Sequence, residues 1–197
     1  RRELEITFFD EEAVNRIRGC MDGLVLHGFI TAYIDGRERM SYLDGDINVG
    51  IQNFLKDHPN DRRLRPVKTG EELFEGKVCY FTFIAGTDEL NPLYERVKAG
   101  DGWTCIYQRD TYHPEHWLEL CPRDATKASA IRKLRERYHC ERVVVFGDSM
   151  NDIPMFKAAD EAYAVENAMQ EIKLAADGII PSNEDDGVAR WLGQNFE

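Results

Sequence analysis

Apolar and polar positions in the first 121 residues alternate between a strand-like period of two and a helix-like period near 3.6. The period of two predicts strands at residues 4–9, 29–34, 40–43, 78–84, 103–108 and 116–120. The longer period predicts helices at residues 11–20, 47–55 and 90–97, the last with Pro92 in its first turn. Residues 56–76 are polar and predict a loop with room for one short helix. This order predicts a small α+β domain that ends at Cys121.

From Pro122 onward, helical and strand-like segments follow one another in strict alternation. The pattern predicts helices at residues 128–138, from about residue 151 and at 166–176, with strands from Val143 and at 162–165. Such alternation is typical of a parallel sheet with helices packed on its faces. The sequence therefore predicts an α/β protein with two domains, residues 1–121 and 122–197.

Composition limits the classes of partner. The chain has 197 residues, of which 43% are hydrophobic, so it can bury a core. Its formal net charge of -11 at pH 7 disfavours nucleic acids and anionic membranes as partners, and no apolar run is long enough to span a bilayer. The five cysteines are widely spaced and lack a C-x-x-C pair, which predicts reduced thiols in the cytoplasm. Nothing in the sequence indicates an oligomeric state.

The strongest chemical signal lies where the Val143 strand ends. Four apolar residues, Val143 to Phe146, lead into Gly147 and Asp148, and Asp152 follows closely. The carboxyl end of a buried parallel strand is where open α/β sheets bind ligands. Two neighbouring carboxylates repel each other unless a cation neutralises them, so Asp148 and Asp152 suggest an oxygen-ligated Mg²⁺. The alternative interpretation is an Asp that caps the next helix.

The run GDSMNDIPMF, residues 147–156, resembles the fourth motif, Gly-Asp-x-x-Asn-Asp, of the haloacid dehalogenase (HAD) superfamily in its Cof-like phosphatase branch. Residues 164–168, 175–177 and 182–189 resemble the closing segments of that branch. The resemblance implies that residues 122–197 form the C-terminal part of a HAD-like Rossmannoid parallel sheet. It also implies that residues 1–121 form an α+β cap domain.

The same resemblance implies roles for four residues. Asp148 would bind Mg²⁺, and Asn151 would contact the phosphoryl group of the substrate. Lys127 stands where the family keeps its third motif, and it would act catalytically and bind the phosphoryl group; the alternative is a solvated surface lysine. Asp152 would serve catalysis by orienting the loop or by supporting the metal indirectly. The family usually has Gly after the lysine, whereas this chain has Ala128.

The resemblance also implies a nucleophile that we do not find in this sequence. HAD phosphatases carry it in an Asp-x-Asp motif that precedes the cap, so we expect it in an N-terminal segment missing from this chain and expect the chain to be inactive alone. Asp44-Gly45-Asp46 is the only Asp-x-Asp here, but it lies within the cap-like pattern, where Asp and Gly are common in turns. Thr7 is a still weaker match to the family's second motif.

Two functions are compatible with these residues. The first is a Mg²⁺-dependent phosphohydrolase that acts through an aspartyl-phosphate on small phosphorylated metabolites such as sugar phosphates. The second is a non-catalytic module that binds a ligand or a partner, made of a cap and a remnant core. The absent nucleophile motivates the second function, whereas the motif at Asp148 favours the first.

Overall fold

A computed structural model of the chain describes residues 5–110 and 113–196. The chain divides into two compact units, and the break lies between Asp124 and Ala125. The break comes slightly later than the predicted one after Cys121, because the last strand of the first unit continues through Pro122. The assignment of the two units as cap and core stays a prediction.

The first unit is a six-stranded sheet with helices packed against it. Its helices are α1 (Glu11–Met21), α2 (Val49–Asp57), α3 (Gly70–Leu73) and α4 (Thr87–Val97). Its strands are β1 (Gly28–Ile34), β2 (Arg37–Leu43), β3 (Leu64–Val67), β4 (Lys77–Ala85), β5 (Trp103–Arg109) and β6 (His116–Pro122). The strand order is β3-β2-β1-β4-β6-β5, and every neighbouring pair is antiparallel except β2 with β3. The predicted α+β arrangement is confirmed for this unit.

Three details of the first unit differ from the predictions. The strand predicted at residues 4–9 is wrong for residues 5–9, which are not part of a strand, although Phe9 N donates to Val78 O (2.9 Å); Leu4 lies outside the described residues. Strand β3 lies within the predicted loop, because Arg65 and Pro66 interrupt its apolar pattern. Helix α4 begins at Thr87, which places Pro92 inside the helix rather than in its first turn.

The turn that joins β1 to β2 explains how these strands find their register. Asp35 and Gly36 both have positive φ, 51° and 73°. Two successive residues of that kind are typical of the type I′ turn, whose twist matches that of a two-stranded hairpin. The flanking residues Ile34 and Arg37 pair directly. The Asp-Gly pair in the sequence was therefore a reliable hairpin signal.

Side chains on the two faces of the sheet belong to two separate apolar clusters. Ile30 of β1 and Phe83 of β4 pack with Ile17 of α1 and Leu93 of α4 in the larger cluster. Residues of the opposite parity, such as Phe29 of β1, pack with α2 instead. Because successive side chains of a strand point to opposite faces, α1 and α4 cover one face and α2 covers part of the other.

The second unit is a three-stranded parallel sheet with short helices. Its helices are α5 (Lys127–Tyr138), α6 (Ile153–Phe156), α7 (Gln170–Ala175) and α8 (Gly187–Asn195). Its strands are β7 (Val144–Gly147), β8 (Glu161–Val165) and β9 (Gly178–Ile180), paired in the order β7-β8-β9. The parallel sheet was predicted. Strand β9 and helix α8 were not predicted; the three residues of β9 are too few to show a period.

Neither described part of the chain, residues 5–110 or residues 113–196, contains a helix with the length and apolar character needed to cross a bilayer.

We predict opposite effects of two Gly→Ala substitutions on the free energy of unfolding. Gly36→Ala should destabilise the protein by about 1–2 kcal/mol, because a side chain at φ 73° is strained. Gly19→Ala is the matched control: Gly19 lies inside α1 with no atom near its added Cβ, so alanine should stabilise the protein by about 0.5–1 kcal/mol. Urea denaturation measures both. Equal effects of the two changes would contradict the assigned turn.

Candidate functional site

The predicted motif occupies the loop that leaves the carboxyl end of β7. Gly147 is the last residue of the strand, Asp148 follows it, and a short 3₁₀ turn spans Met150–Asp152 before α6 begins. The carbonyl oxygen of Asp148 accepts a hydrogen bond from Met169 N (3.0 Å), which lies after the neighbouring strand β8. The loop is thereby fixed to the same sheet edge at which β8 ends.

The Asp152 carboxylate is the buried centre of this loop. The residue is only 1% exposed. Its Oδ1 lies 2.5 Å from Lys127 Nζ, and its Oδ2 accepts bonds from the backbone N–H groups of Asp148 (3.1 Å) and Ser149 (3.3 Å). Both oxygens therefore have partners, and the carboxylate holds the loop that carries Asp148.

Lys127 reaches Asp152 from the first residue of α5. Thr126 caps this helix, since its hydroxyl oxygen accepts a bond from Ser129 N (3.1 Å). A cation in the first turn of a helix is disfavoured by the helix dipole, so the position of Lys127 is not explained by helix stability. The ion pair with Asp152 offsets this cost. The Lys127 side chain is 55% exposed, so its ammonium can also meet an anion from solvent.

The environment of Asp152 lowers the pKa of its carboxyl group. Burial by itself raises this pKa, but the bond from Lys127 and the two backbone N–H donors outweigh burial. Each of these donors favours the charged form, because a carboxylate accepts hydrogen bonds more strongly than a neutral acid does. Asp152 is therefore a fixed anion at neutral pH and is poorly suited to exchanging protons while Lys127 remains bound to it.

Asp148 and Asn151 differ from Asp152 in being exposed to solvent. For the Asp148 carboxylate, no hydrogen-bond or ion-pair partner is found among residues 5–110 and 113–196. The amide oxygen of Asn151 accepts a bond from Ser149 Oγ (2.8 Å), and its amide N–H groups have no partner within the described part of the chain. The loop thus presents one unpaired carboxylate and one amide beside the Lys127 ammonium.

Gly147 is required by close packing rather than by backbone conformation. A Cβ atom at this position would lie 2.8 Å from Asp152 Cβ, Asp152 Oδ2 and Phe156 Cε1. Real Cβ atoms essentially never come that close to another heavy atom, so a side chain here would displace Asp152 or Phe156. The glycine of the motif therefore makes room for Asp152 beneath the strand end.

The donor set can supply only part of a metal site. In the described ranges, no group of three or more His, Cys, Asp or Glu side chains could hold a metal ion. Mg²⁺ commonly takes one or two carboxylates and completes its shell with water and substrate phosphate. The free Asp148 carboxylate fits one such ligand. Asp152 could support the metal only indirectly, because both of its carboxylate oxygens already have hydrogen-bond partners.

The structure brings all four predicted residues, Lys127, Asp148, Asn151 and Asp152, to one loop and the adjacent helix end. It also reveals polar side chains that sequence reasoning did not select. Ser149 forms a capping box with Asp152, and after β8 the Asn167 Nδ2 donates to Asn183 Oδ1 (2.7 Å), which follows β9. Their position just after parallel strands was the available signal, and the strand β9 that would have revealed it for Asn183 is too short to predict.

The rejected Asp-x-Asp lies in the first unit. Asp44 and Asp46 are exposed residues of the connection between β2 and α2, and Asp46 Oδ1 lies 3.2 Å from His27 Nε2. Asn48 caps the following helix, with Oδ1 accepting from Ile51 N (2.9 Å). The segment therefore has the turn and capping contacts expected of an ordinary connection. Thr7 lies in residues 5–9, which form no strand.

Comparison with known proteins identifies the family. The family model described as haloacid dehalogenase-like hydrolase matches residues 38–192. The chain belongs to this family. Among curated HAD relatives, it is similar to the 5-amino-6-(5-phospho-D-ribitylamino)uracil phosphatase YwtE of Bacillus subtilis strain 168, with 30% identity over 66% of this chain and 46% of the relative. It is also similar to the phosphatase YwpJ of the same organism, with 36% identity over 64% of this chain and 45% of that protein.

A solved structure from Thermotoga maritima, that of TM0651, aligns with 95% of this HAD chain and 67% of its own chain, at 28% identity and a TM-score of 0.71. A HAD-like hydrolase from Bacteroides thetaiotaomicron aligns with 98% of this chain at a TM-score of 0.75 and 22% identity, which shows the fold alone. These neighbours confirm the predicted fold class. The chain spans about half of the length of the two curated relatives.

We predict that two neighbouring aspartates of the motif differ in their effect on stability. Asp152→Asn should lower the free energy of unfolding by about 1.5–3 kcal/mol at neutral pH, because it removes a buried charge-assisted hydrogen bond. Asp148→Asn, the matched control at an exposed carboxylate, should change it by less than about 0.5 kcal/mol. Denaturant titrations followed by circular dichroism measure both.

The contribution of Asp152 to the free energy of unfolding depends on pH, and the sign of this dependence follows from the lowered pKa. The pKa of Asp152 is lowered by folding, so its stabilisation is present above about pH 4 and is lost as pH falls through the folded-state pKa. The difference in unfolding free energy between the wild-type protein and Asp152→Asn should therefore shrink on acidification. A difference that grows toward low pH would show that the carboxylate is not stabilised in its charged form.

Proposed function

We propose that the protein of which this chain is part is a Mg²⁺-dependent phosphohydrolase for small phosphorylated metabolites, acting through an aspartyl-phosphate. The family membership supports hydrolase chemistry. The observation that carries the proposal is the arrangement of Lys127, Asp152 and Asp148: an exposed ammonium held by a buried carboxylate, next to an unpaired carboxylate. A structural ion pair would not need the second, free carboxylate at the strand end.

Each residue has a proposed role that follows from its contacts. Lys127 binds a phosphoryl oxygen of the substrate, since its ammonium has three donors and Asp152 occupies one of them. Asn151 donates an amide N–H to another phosphoryl oxygen. Asp152 orients Lys127 and fixes the loop, and it stays charged throughout because its donors favour the carboxylate. Stabilisation of the phosphoryl charge by such fixed groups is a major part of phosphoryl-transfer catalysis.

Asp148 is the residue that we propose as a ligand of Mg²⁺. Its carboxylate is exposed and unpaired in the described part of the chain, and oxygen ligands of this kind suit a hard cation. When bound, the ion would neutralise phosphoryl charge in the transition state. Asp148→Asn should then weaken Mg²⁺ binding without unfolding the protein, since no internal contact of the side chain is lost.

We further propose that the nucleophilic aspartate is supplied by a segment outside this sequence, so that the chain alone is inactive. The edge of β7 supports this proposal. Strand β7 is the outer strand of the three-stranded parallel sheet, and Leu134 and Tyr138 of α5 are 43% and 57% exposed. Parallel sheets are rarely left open in this way, and a further strand beside β7 would cover this edge.

The substrate class is a proposal drawn from the relatives. One of them is named as a phosphatase of a phosphorylated ribitylamino compound. We propose that this chain's parent acts on a phosphorylated sugar or sugar alcohol of similar size. The five cysteines are free thiols, which is consistent with our proposal of a cytoplasmic location.

Phosphate release by the natural gene product tests the proposed function. With Mg²⁺ present, Lys127→Met and Asp148→Asn should each lower kcat/KM by about 100-fold or more, because each removes charge stabilisation of the transferring group. Lys157→Met is the matched control, because Lys157 is an exposed lysine at the end of α6. Addition of a chelator should abolish release.

Full activity in the Asp148→Asn variant would contradict the proposed metal ligand. The 197-residue chain, assayed in parallel, should release no phosphate. Robust release by this chain that is lost in Asp44→Asn would identify Asp44 as the nucleophile and refute the proposal that the nucleophile lies outside the sequence.

A further inference from the structure

A row of basic side chains lies along the sheet edge formed by β2 and β3. Arg37 and Arg39 are two residues apart on β2, so their side chains lie on the same face of the sheet. Arg65 of β3 pairs with Ser41 of β2, which lies on that face as well. Ser41 also pairs with Ile30 of β1, whose side chain belongs to the cluster with α1 and α4. The three arginines therefore lie on the face opposite to the one that α2 covers.

The three arginines line a groove of about 670 Å³ at this edge, which we call the arginine groove. Its volume is within the range of small-molecule sites, which is roughly 300–1,000 Å³. Ile34, Leu64 and Pro66 supply the apolar part of its lining, and Asp35 and Glu75 supply two carboxylates. The groove thus combines an excess of positive charge with an apolar surface.

Within the described part of the chain, two of the three guanidinium groups have no carboxylate partner. Glu75 pairs with Arg65, whose side chain is 25% exposed. Arg39 donates one bond, from Nη1 to the carbonyl oxygen of Arg62 (3.1 Å). For Arg37, neither residues 5–110 nor residues 113–196 contain a hydrogen-bond or ion-pair partner. Most N–H donors of these two arginines are therefore available to a ligand.

Unpaired neighbouring arginines are unexpected in so acidic a chain, which has 36 Asp and Glu residues and 25 Lys and Arg residues. The nearby acids Glu38 and Asp61 both pair with Arg63 instead. Two like charges on adjacent positions of one face repel each other, and neither Arg37 nor Arg39 offsets this cost with an internal ion pair. An anion bound between them would remove the repulsion.

The outer edge of β3 is not suited to an added strand. Arg63 O and Val67 O accept bonds from β2, so the outward-facing backbone positions of β3 are those of Leu64 and Pro66. Leu64 N already donates to Asp61 O (3.2 Å), and Pro66 has no N–H. Since a further strand would find no free donor here, the side chains of the groove define the ligand rather than the strand edge.

Guanidinium geometry indicates the chemical class of that ligand. The planar fork of an arginine donates two parallel bonds to a phosphate or a carboxylate. Alternate residues of a strand are about 7 Å apart, so Arg37 and Arg39 can bind different ends of an anion that has two charged groups. A diphosphate has two linked phosphoryl groups and more negative charge than a dicarboxylate. It therefore gains most from two adjacent unpaired arginines.

We propose that the arginine groove is a binding site for the diphosphate group of a small organic molecule. The apolar residues of the groove contact the uncharged part of that molecule. The inference does not rest on the proposed function, because it uses no residue of the Lys127 loop and applies equally to a protein without phosphatase activity.

Isothermal titration calorimetry of the 197-residue chain with inorganic pyrophosphate tests the proposal, at constant ionic strength and with a chelator present. The chelator removes divalent ions, so binding that needs Mg²⁺ at Asp148 does not contribute. Pyrophosphate should bind saturably and about tenfold or more tightly than inorganic phosphate, because a second charge-assisted contact is gained. Absence of saturable binding would overturn the site, and equal affinity for citrate would overturn its assignment to a diphosphate.

Variants of the groove make the test specific. Arg37→Gln and Arg39→Gln should each weaken pyrophosphate binding by about tenfold or more, because each removes charge-assisted hydrogen bonds. Arg37 has no internal partner among the described residues, so its variant should fold normally. Arg132→Gln is the matched control, since it removes the same charge from an exposed arginine of α5 and should retain affinity. Unchanged affinity in both groove variants, or an equal loss in Arg132→Gln, would refute the assigned site.

Chemical protection locates the bound anion. Pyrophosphate should slow the modification of Arg37 and Arg39 by phenylglyoxal, measured by peptide mass spectrometry, and leave that of Arg132 unchanged. Protection of Arg132 to the same extent would contradict a specific site.

The variant Lys127→Met separates this proposal from the proposed function. It should bind pyrophosphate as the wild-type chain does. Loss of binding in Lys127→Met would assign the anion to the motif loop and overturn the arginine groove while retaining the proposed enzyme. Binding in the groove, together with no phosphatase activity in the natural gene product, would retain the groove and refute the enzyme.

Discussion

A single buried carboxylate organises the functional end of the second unit. Asp152 binds Lys127 through one oxygen and two backbone N–H groups through the other, and Gly147 leaves the space that it occupies. These contacts fix the start of α5 and the end of β7 relative to each other. They also leave Asp148 as the carboxylate that projects freely. The placement of Lys127 and of Asp148 relative to each other follows from this one interaction.

The sequence predicted those helices and strands that are long enough to show a hydrophobic period or that flank a recognisable turn. Helix α1 and the β1–β2 hairpin have clear periods and a strong turn signal, and both lie close to where they were expected. Strands β3 and β9 were not predicted, because four and three residues cannot display a period and their pairing depends on distant neighbours. Apolar content alone produced the wrong strand at residues 5–9, which belong to neither sheet.

For the candidate site as well, the sequence predicted some features and could not predict others. The strand end and the spacing of the two carboxylates were enough to select Asp148 and Asp152, whereas the family resemblance was needed to select Asn151 and Lys127. The sequence could not show which aspartate is buried, since both have the same side chain and lie four residues apart. Asp152 is buried because it packs beneath Gly147 and pairs with Lys127, which is distant from it in the sequence.

The open edge of β7 has a consequence for the behaviour of the chain in solution. Its outward backbone groups form a ready template for another extended segment, and Leu134 and Tyr138 of α5 add exposed apolar surface to the same unit. An extended segment of a second molecule could pair with this edge in place of the further strand proposed above. We therefore expect the purified chain to form oligomers or to precipitate as its concentration rises. This strand edge should govern that self-association more than the acidic surface charge does.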